Sequence, residues 1–396
     1  MQDVGWRTWV GAGLASASLL VPMFFLAPAV VAAPPNLTVR ADMPTAVPKG
    51  HNWMFDDFFP RTLAVPRGST VNFQLLGFHT ATLLPHSVTA ASDNRSRGII
   101  GLDRDDTTPN PNGTMHTLLR GIARGPASCG TSSKPCVFNG TSIVTTGPFF
   151  GPSGPFAVKL TAPPGAYVFH CRVHPAMNAS VLVLPAGRAG TTPSQLRAAV
   201  AAQIRTDVRS GLETERAFNH VSRVRNPNGT TTWRMWAGAD SPSGHVAVNE
   251  FLPRNVPVKV GDSVRWIVSG RSEPHTVTFP TELHTDLIAL CEDGTTDRPA
   301  TPVHNPPRDP TDFTCGGGSP PDEIELGGGN GRHNVTSRTV KADSGVMMNA
   351  AFGVPFGVPP AARIDRYRMR FTGTPGTYAY VCQIHEHMEG TITVHG

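Results

Sequence analysis

The residues best suited to do chemistry lie in two short segments that share one pattern. Each segment places a cysteine, a histidine and a methionine at the spacing C-x2-H-x2-M, just after a Pro-Gly turn and a short aromatic strand. These residues are Cys171, His174 and Met177 in the first segment and Cys382, His385 and Met388 in the second. A thiolate, an imidazole and a thioether at one strand end form the ligand set of a blue-copper site, which needs one more histidine from elsewhere in the chain.

Both halves of the chain supply a candidate for that histidine. The segment that begins at Asp57 aligns without a gap with the segment that begins at Glu250, and the shared positions alternate as in a strand with one buried face. A histidine in a Thr-rich strand follows in each half, His79 in the first and His275 in the second. The sequence therefore predicts a tandem duplication in which each copy has the order His, then Cys-His-Met.

On these residues both copies resemble the cupredoxins, the family of plastocyanin and azurin, and the short C-x2-H-x2-M loop is most similar to that of amicyanin. In the second copy, residues 258–266 and 274–277 are also similar to strands of that family. The resemblance covers the two ends of each copy and leaves out the long middles. We therefore expect those middles to be insertions between strands.

The resemblance implies an all-β fold of two tandem cupredoxin-type Greek-key sandwiches joined by a helical linker. The expected divisions are an N-terminal segment at residues 1–33, a first domain at 34–187, a linker at 188–235 and a second domain at 236–396. It also implies two type 1 coppers per chain that transfer single electrons. The implied ligands are His79, Cys171, His174 and Met177, then His275, Cys382, His385 and Met388.

In cupredoxins the loop histidine is partly exposed and passes electrons to the partner. By that resemblance His174 and His385 are expected to face redox partner proteins, which bind weakly and transiently through a small patch. The net charge of +5 is mild and the basic residues are scattered, so a nucleic-acid partner is not expected.

Two other functions use similar ligands and stay open as alternatives. A two-domain multicopper oxidase or nitrite reductase needs an additional catalytic copper, and in such enzymes a histidine beside the blue-copper cysteine passes electrons to it. His170 precedes Cys171, but the only His-x-His pair is His385-Glu386-His387, inside a ligand loop. We therefore expect His170 to face solvent or a loop, and an electron carrier is favoured over an enzyme.

A copper carrier or store is the third class, and zinc is a competing metal. A store would bind copper with poor redox reversibility, and it could use simpler methionine or histidine runs than a Cys-His-Met loop in each copy. Zinc takes cysteine and histidine ligands, but a thioether partner favours copper.

The N-terminal segment is typical of an export signal. Arg7 precedes an apolar run at residues 10–33, and Val30-Val31-Ala32 fits a small-x-small cleavage site. The alternative is a retained membrane anchor, because the run is long enough to span a bilayer. Either outcome predicts an extracytoplasmic protein that is periplasmic, cell-surface or secreted.

The cysteines that are not proposed ligands also favour export. Cys129 and Cys136 lie in the first middle, and Cys291 and Cys315 lie in the second. The simplest prediction is one local disulfide in each insertion, which implies an oxidising compartment. Free buried thiols are the alternative, since sequence does not determine pairing.

One amphipathic helix is predicted between the two copies. Thr192 can cap it, Pro193 suits its first turn, and Gln195 completes a capping box. Apolar residues follow at four-residue spacing, and Gly211 is expected to end the regular part. The helix is expected either to set the distance between two copper centres or to pack on one sandwich.

Overall fold

Short β-strands dominate the computed structural model, as the 40 glycines and 38 prolines lead one to expect. It describes residues 37–77, 79–97, 128–147, 154–281, 332–354, 358, 360–385 and 387–396, and a few short strands in the insertions. The N-terminal apolar run and Cys315 lie outside the described residues. Among the described residues, no helix combines the length and the apolar character needed to cross a membrane.

The elements of the first half are numbered along the chain. The strands are β1 (Leu37–Ala41), β2 (Trp53–Met54), β3 (Phe58–Phe59), β4 (Thr62–Pro66), β5 (Thr70–Leu75), β6 (Thr82–Leu83), β7 (Gly101–Leu102), β8 (Met115–Leu118), β9 (Cys136–Phe138), β10 (Val144–Thr145), β11 (Phe156–Leu160), β12 (Gly165–His170) and β13 (Asn178–Leu184). Helix α1 (Ala90–Arg97) follows β6.

The second half begins with helix α2 (Pro193–Phe218) and contains helix α3 (Ala350–Gly353) near its end. Its strands are β14 (Ser222–Arg225), β15 (Thr231–Asp240), β16 (Ala247–Leu252), β17 (Asn255–Lys259), β18 (Ser263–Ile267), β19 (Thr278–Phe279), β20 (Ala289–Glu292), β21 (Asp297–Pro299), β22 (Thr301–Pro302), β23 (Phe313–Thr314), β24 (Glu323–Leu326), β25 (Asn334–Val335), β26 (Ala342–Asp343), β27 (Arg366–Phe371), β28 (Gly376–Val381) and β29 (Glu389–His395).

The first half folds into a sandwich of two five-stranded sheets. One sheet has the order β3-β1-β5-β11-β9 and the other has the order β10-β6-β12-β13-β4. Burial alternates along β5 and β13, so that one face of each strand is turned to the core. Phe169 of β12 fills this core and makes edge contacts with Phe58 and Phe73 of the opposite sheet.

The second half repeats this arrangement. Its sheets have the orders β2-β16-β15-β18-β27-β25 and β17-β29-β28-β19-β26. In both halves the last strand lies parallel to an early strand, with Val183 beside Val65 and Val394 beside Val258. This parallel neighbour of the closing hairpin repeats in both halves, so the duplication expected from the sequence is structural as well.

One strand of the first half joins a sheet of the second half, and we call it the exchanged strand. Strand β2 belongs to the first half of the chain, but it pairs with β16 of the second half, with Met54 beside Ala247 and Trp53 beside Val248. Residues from both halves then form a separate apolar cluster, which includes Phe55, Phe59, Val246, Val248 and Leu252. The sandwiches therefore share a core and belong to one compact unit that runs from Pro34 to Gly396.

Helix α2 covers this shared cluster. Thr192 caps it and forms the reciprocal capping box with Gln195, as the sequence predicts. Its apolar stripe packs on the cluster through Val200, Ile204 and Val208. The predicted end at Gly211 is wrong, because the helix continues to Phe218.

Gly211 has a packing role instead of a terminating one. A Cβ atom at this position would lie 2.7 Å from the ring of Trp53, so the glycine lets the helix approach the tryptophan closely. The Trp53 ring of strand β2 occupies the space that a side chain at position 211 would need.

We expect Gly211→Ala to lower the free energy of unfolding by about 1–3 kcal/mol, because the added methyl group overpacks a rigid ring. In an exposed helix the same change would stabilise by about 1 kcal/mol. Chemical denaturation measures the difference. Ser210→Ala is the control in the adjacent helical position, with an expected effect within about 0.5 kcal/mol. A Gly211→Ala protein at least as stable as the wild type would contradict this packing role.

A buried ion network joins α2 to the first sandwich. The Arg61 guanidinium lies 2.5 Å from the Asp57 carboxylate and 2.6 Å from the Asp207 carboxylate. Gln203 donates a further hydrogen bond to Asp57 at 2.6 Å. Burial raises the pKa of Asp57 to about 8 in spite of Arg61, and the negative charge of Asp207 adds to the increase. The two carboxyl groups therefore share one cation and retain a proton.

This network predicts a pH-dependent stability. The folded chain keeps a proton on Asp57 that the unfolded chain releases above pH 4 or so, and the free energy of unfolding must fall as the pH rises from about 4 to about 8. The slope is at most about 1.4 kcal/mol per pH unit. Asp207→Asn should reduce this component, because it removes the negative charge that adds to the raised pKa of Asp57, while the effect of burial remains. Denaturation curves across this range measure both proteins, and identical pH profiles would contradict a shared proton.

The insertions have structure of their own. Strands from both halves form one five-stranded sheet of order β21-β20-β24-β8-β7, in which β24 and β8 are antiparallel. Cys129 and Cys136 form a disulfide that closes a loop before β9, which confirms the first predicted pair. Cys291 lies in β20, and its predicted partner Cys315 is outside the described residues, so that pairing stays a prediction.

Candidate metal centres

The loop between β12 and β13 gathers three candidate ligands at one end of the first sandwich. These two strands are antiparallel neighbours, so the loop that connects them must reverse within seven residues. The Cys171 amide donates to the Met177 carbonyl at 2.9 Å, and the Met177 amide donates to the His174 carbonyl at 3.0 Å. These bonds close the loop on itself. Met177 is fully buried at its end.

The fourth candidate of the first site comes from the strand side. His79 directs Nδ1 toward the loop, 4.0 Å from the Cys171 sulfur and 2.9 Å from His174 Nδ1. The His174 Nδ1 atom lies 3.5 Å from the same sulfur. All three side chains are at most 1% exposed. The amides of Thr80 and Val173 donate to the sulfur at 3.4 and 3.3 Å.

The second half contains the same arrangement. The Cys382 sulfur lies 3.6 Å from His385 Nδ1 and 3.9 Å from His275 Nδ1. The Cys382 amide donates to the Met388 carbonyl at 2.9 Å, as in the first loop. The amide of Thr276, the residue after His275, donates to the sulfur at 3.3 Å. The predicted cysteine and two histidines thus meet in both halves, in the order in which the repeat presents them.

These distances suit a single metal ion in each cluster. A metal bound to nitrogen and sulfur at about 2.0–2.3 Å places its donor atoms about 3–4 Å from one another. The spacings between the sulfur and the two Nδ1 atoms lie in or near this range in both halves. One thiolate and two imidazoles beside a buried methionine are the donor set that copper prefers in blue-copper sites.

The electrostatics prepare both sulfurs for a metal. Burial by itself raises the pKa of the Cys171 and Cys382 thiols, but the facing histidines outweigh it and bring both pKa values well below their usual range. Burial lowers the pKa of His385, but hydrogen bonds to Cys382 and Glu273 raise it to about 10. A thiolate therefore faces an imidazolium, and a metal cation can take the place of that proton.

Several solved structures are similar to part of this chain. Solved structures that match include a reduced auracyanin from Roseiflexus castenholzii (18% identity, 38% of this chain, 97% of that chain, TM-score 0.22). A mutant fern plastocyanin (17%, 37%, 99%, 0.17) and a purple cupredoxin from Nitrosopumilus maritimus (13%, 41%, 98%, 0.18) also match. No family model and no curated protein matches.

Each half of the chain has the cupredoxin fold. Because the TM-scores are low, the strand order and the ligand clusters carry this assignment, and the structural matches do not. Tyr167 and Tyr378 repeat another detail of the two domains, since each phenol donates to the backbone carbonyl four residues earlier, at 3.0 and 2.7 Å.

The expectation that the two loop histidines are partly exposed is wrong for His174, which is buried, whereas His385 keeps a small exposed fraction. His174 is 1% exposed, and the side chain of His385 is 10% exposed. Their Nε2 atoms face one another across the carboxylate of Glu273, at 2.8 Å for His174 and 3.3 Å for His385. The shared core and the exchanged strand β2 turn the two ligand ends of the cupredoxin domains together, which a reading of one copy at a time does not reveal.

The expectation for His170 is also wrong. This histidine is 1% exposed, and its Nε2 atom lies 3.0 Å from the carboxylate of Asp93 in α1. Arg172 makes a bidentate ion pair with the same carboxylate at 2.7 and 2.9 Å. Burial opposes ionisation of Asp93, but His170 and Arg172 outweigh it and lower the pKa to about 2.

Sequence reasoning missed two acidic residues beside the ligands. Glu273 lies two positions before His275, in a polar segment after β18 where a charged residue gives no signal of burial. Asp56 precedes the aligned Asp57, is fully buried, and lies 3.7 Å from His174 Nδ1. Neither Asp56 carboxylate oxygen has a hydrogen-bond partner among the described residues. Burial raises the pKa of Asp56 well above its usual range.

The Asp93 pair predicts a large loss of stability. Asp93→Ala leaves the buried Arg172 charge without its partner, and we expect the free energy of unfolding to fall by about 3–5 kcal/mol. The control is Asp365→Ala, which breaks the exposed ion pair with Arg366, at an expected cost below about 1 kcal/mol. Urea denaturation measures both variants. Equal losses in the two proteins would contradict a structural role for the buried pair.

Proposed function

We propose that the protein is an exported electron carrier with one type 1 copper in each cupredoxin domain, two per chain. The observation that carries this proposal is the convergence of one cysteine sulfur and two histidine Nδ1 atoms in both halves. Copper held there would supply one-electron chemistry by alternating between Cu(I) and Cu(II). The proposed ligands are His79, Cys171, His174 and Met177, then His275, Cys382, His385 and Met388.

The protein groups around each site favour fast electron transfer by limiting movement. The Cys171 sulfur accepts two amide hydrogen bonds, from Thr80 and Val173, which stabilise its negative charge and restrain its position. The strand histidine and the closed ligand loop belong to a packed sandwich. The ligands are therefore held nearly as required for both oxidation states, and little rearrangement accompanies the change.

The cell compartment follows from the remaining cysteines and the N-terminus. The Cys129–Cys136 disulfide supports an oxidising compartment, and the predicted export segment supports the same location. We infer that the partners are redox proteins that bind transiently, without a nucleic acid. Contact with a membrane would come only through an uncleaved N-terminal segment.

One observation bears on the enzyme alternative. In an oxidase or nitrite reductase the histidine beside the blue-copper cysteine would lead to a second cluster of ligands. Here His170 pairs with Asp93, and among the described residues it belongs to no group of three candidate metal ligands. This contact supports a carrier over an enzyme with an additional catalytic copper.

Copper loading tests the proposal. We expect two coppers per chain and a strong thiolate-to-copper band in the visible spectrum. Cys171→Ser and Cys382→Ser should each remove one contribution to that band, and the double variant should remove all of it, because the thiolate is the donor of the transition. The matched control is Cys129→Ser plus Cys136→Ser, which removes the disulfide and should leave the band unchanged.

The other outcomes separate the competing functions. A copper count above two, with a weakly coloured centre that survives the double cysteine substitution, would indicate an oxidase or a reductase. Two coppers without reversible one-electron cycling would indicate a carrier or store of copper. No thiolate-to-copper band at all would contradict the blue-copper assignment.

A further inference from the structure

One side chain connects the two candidate copper centres. Glu273 is 5% exposed, and its two carboxylate oxygens are divided between the two domains. One oxygen lies 2.8 Å from His174 Nε2, and the other lies 3.3 Å from His385 Nε2. Each of these histidines turns its other ring nitrogen, Nδ1, toward its own cysteine, at 3.5 and 3.6 Å. A continuous chain of polar contacts thus runs from Cys171 to Cys382.

The position of this carboxylate is not explained by stability alone. A buried carboxylate is costly unless it is paired, and well-packed apolar residues in place of a buried ion pair are often neutral or stabilising. The same site could have been closed with apolar side chains on both ligand loops. Instead, Glu273 is held two residues before the ligand His275, in a segment that the sandwich fixes in place.

We propose that Glu273 couples the two copper centres, so that an electron passes between the domains along His174, Glu273 and His385. This inference rests on the proposed function. The step is a one-electron exchange in which Cu(I) in one domain becomes Cu(II) and Cu(II) in the other becomes Cu(I). No covalent bond forms or breaks. The Glu273 carboxylate stays between the two Nε2 atoms throughout, hydrogen-bonded to His385 Nε2 and in close contact with His174 Nε2, and no proton leaves the bridge.

The contact through Glu273 also affects where redox partner proteins can exchange electrons with the chain. Both loop histidines direct Nε2 at Glu273, and His174 is buried while the side chain of His385 is 10% exposed. An electron that enters at one domain can then leave from the other without two separate partner encounters. The chain works as one unit with two linked centres, and the two domains are not independent carriers.

The test needs two centres that differ in colour. Met388→Gln replaces one axial ligand by another that blue-copper sites use, which shifts the spectrum of the second site. In the copper-loaded full-length chain with this substitution, a pulse of reductant below one equivalent is followed by spectroscopy. We expect one band to recover while the other bleaches, at a rate independent of protein concentration.

Glu273→Gln and Glu273→Ala then interrupt the bridge. We expect the rate of exchange to fall by about tenfold or more. Mutation of a residue that hydrogen-bonds a metal ligand typically lowers metal affinity or activity about 10–100-fold, and Glu273 contacts a ligand of each centre. Redox titration of both centres shows whether the driving force has changed. Glu250→Gln is the matched control, since Glu250 is equally buried but contacts Asn52 and Arg254. It should leave the exchange rate unaltered.

Several results would overturn the coupling. They are an exchange rate that Glu273→Gln and Glu273→Ala leave unchanged, a rate that scales with protein concentration, and a slowing that the altered potentials fully explain. A third metal per chain, bound by Asp56 and Glu273, would also overturn it, because Glu273 would then be a ligand. Failure of the proposed function is seen separately, as a loss of the blue bands before any exchange is measured.

Discussion

A carboxylate buried between two imidazoles is the constraint on which the arrangement of this molecule depends. Such a group is tolerated in an interior only when charged or polar partners lie within hydrogen-bond distance. Glu273 has its partners in different domains, so the two sandwiches must keep one relative position to within a fraction of an ångström. A loose tether between two carriers could not maintain contacts of 2.8 and 3.3 Å to both.

Several independent features hold the domains in that position. The first half lends strand β2 to a sheet of the second half, and an apolar cluster forms from both. Helix α2 then contacts the first half of the chain through two acidic side chains, Asp207 beside Arg61 and Glu215 beside His51. The glycine at 211 lets this helix approach Trp53 closely. The insertions add a sheet to which both halves contribute strands.

The duplicated clusters keep the same candidate ligands but have different surroundings. Beside Cys171 lies His170 with its Asp93 partner, whereas Cys382 is preceded by Val381. At the position just before the aligned pair Asp57 and Glu250, the first copy has Asp56 and the second has Asn249. Both copies keep the cysteine and the two histidines of the cluster. The neighbours are free to differ, and such differences in charge and hydrogen bonding are what tune metal sites.

Much of the protein could be read from its sequence. The candidate ligands Cys171, His174 and Met177 lie on one short loop, and the cap of α2 lies within four residues, so spacing and side-chain chemistry predict both. The alternation of apolar positions predicts the sandwiches for the same reason. The exposure of His174 and His385, the environment of His170 and the place of Gly211 depend instead on residues distant in the chain. Glu273 and His385 are separated by 112 positions. Sequence by itself determined the donors and their order, and only the packing of one domain on the other decided that the two sites face each other.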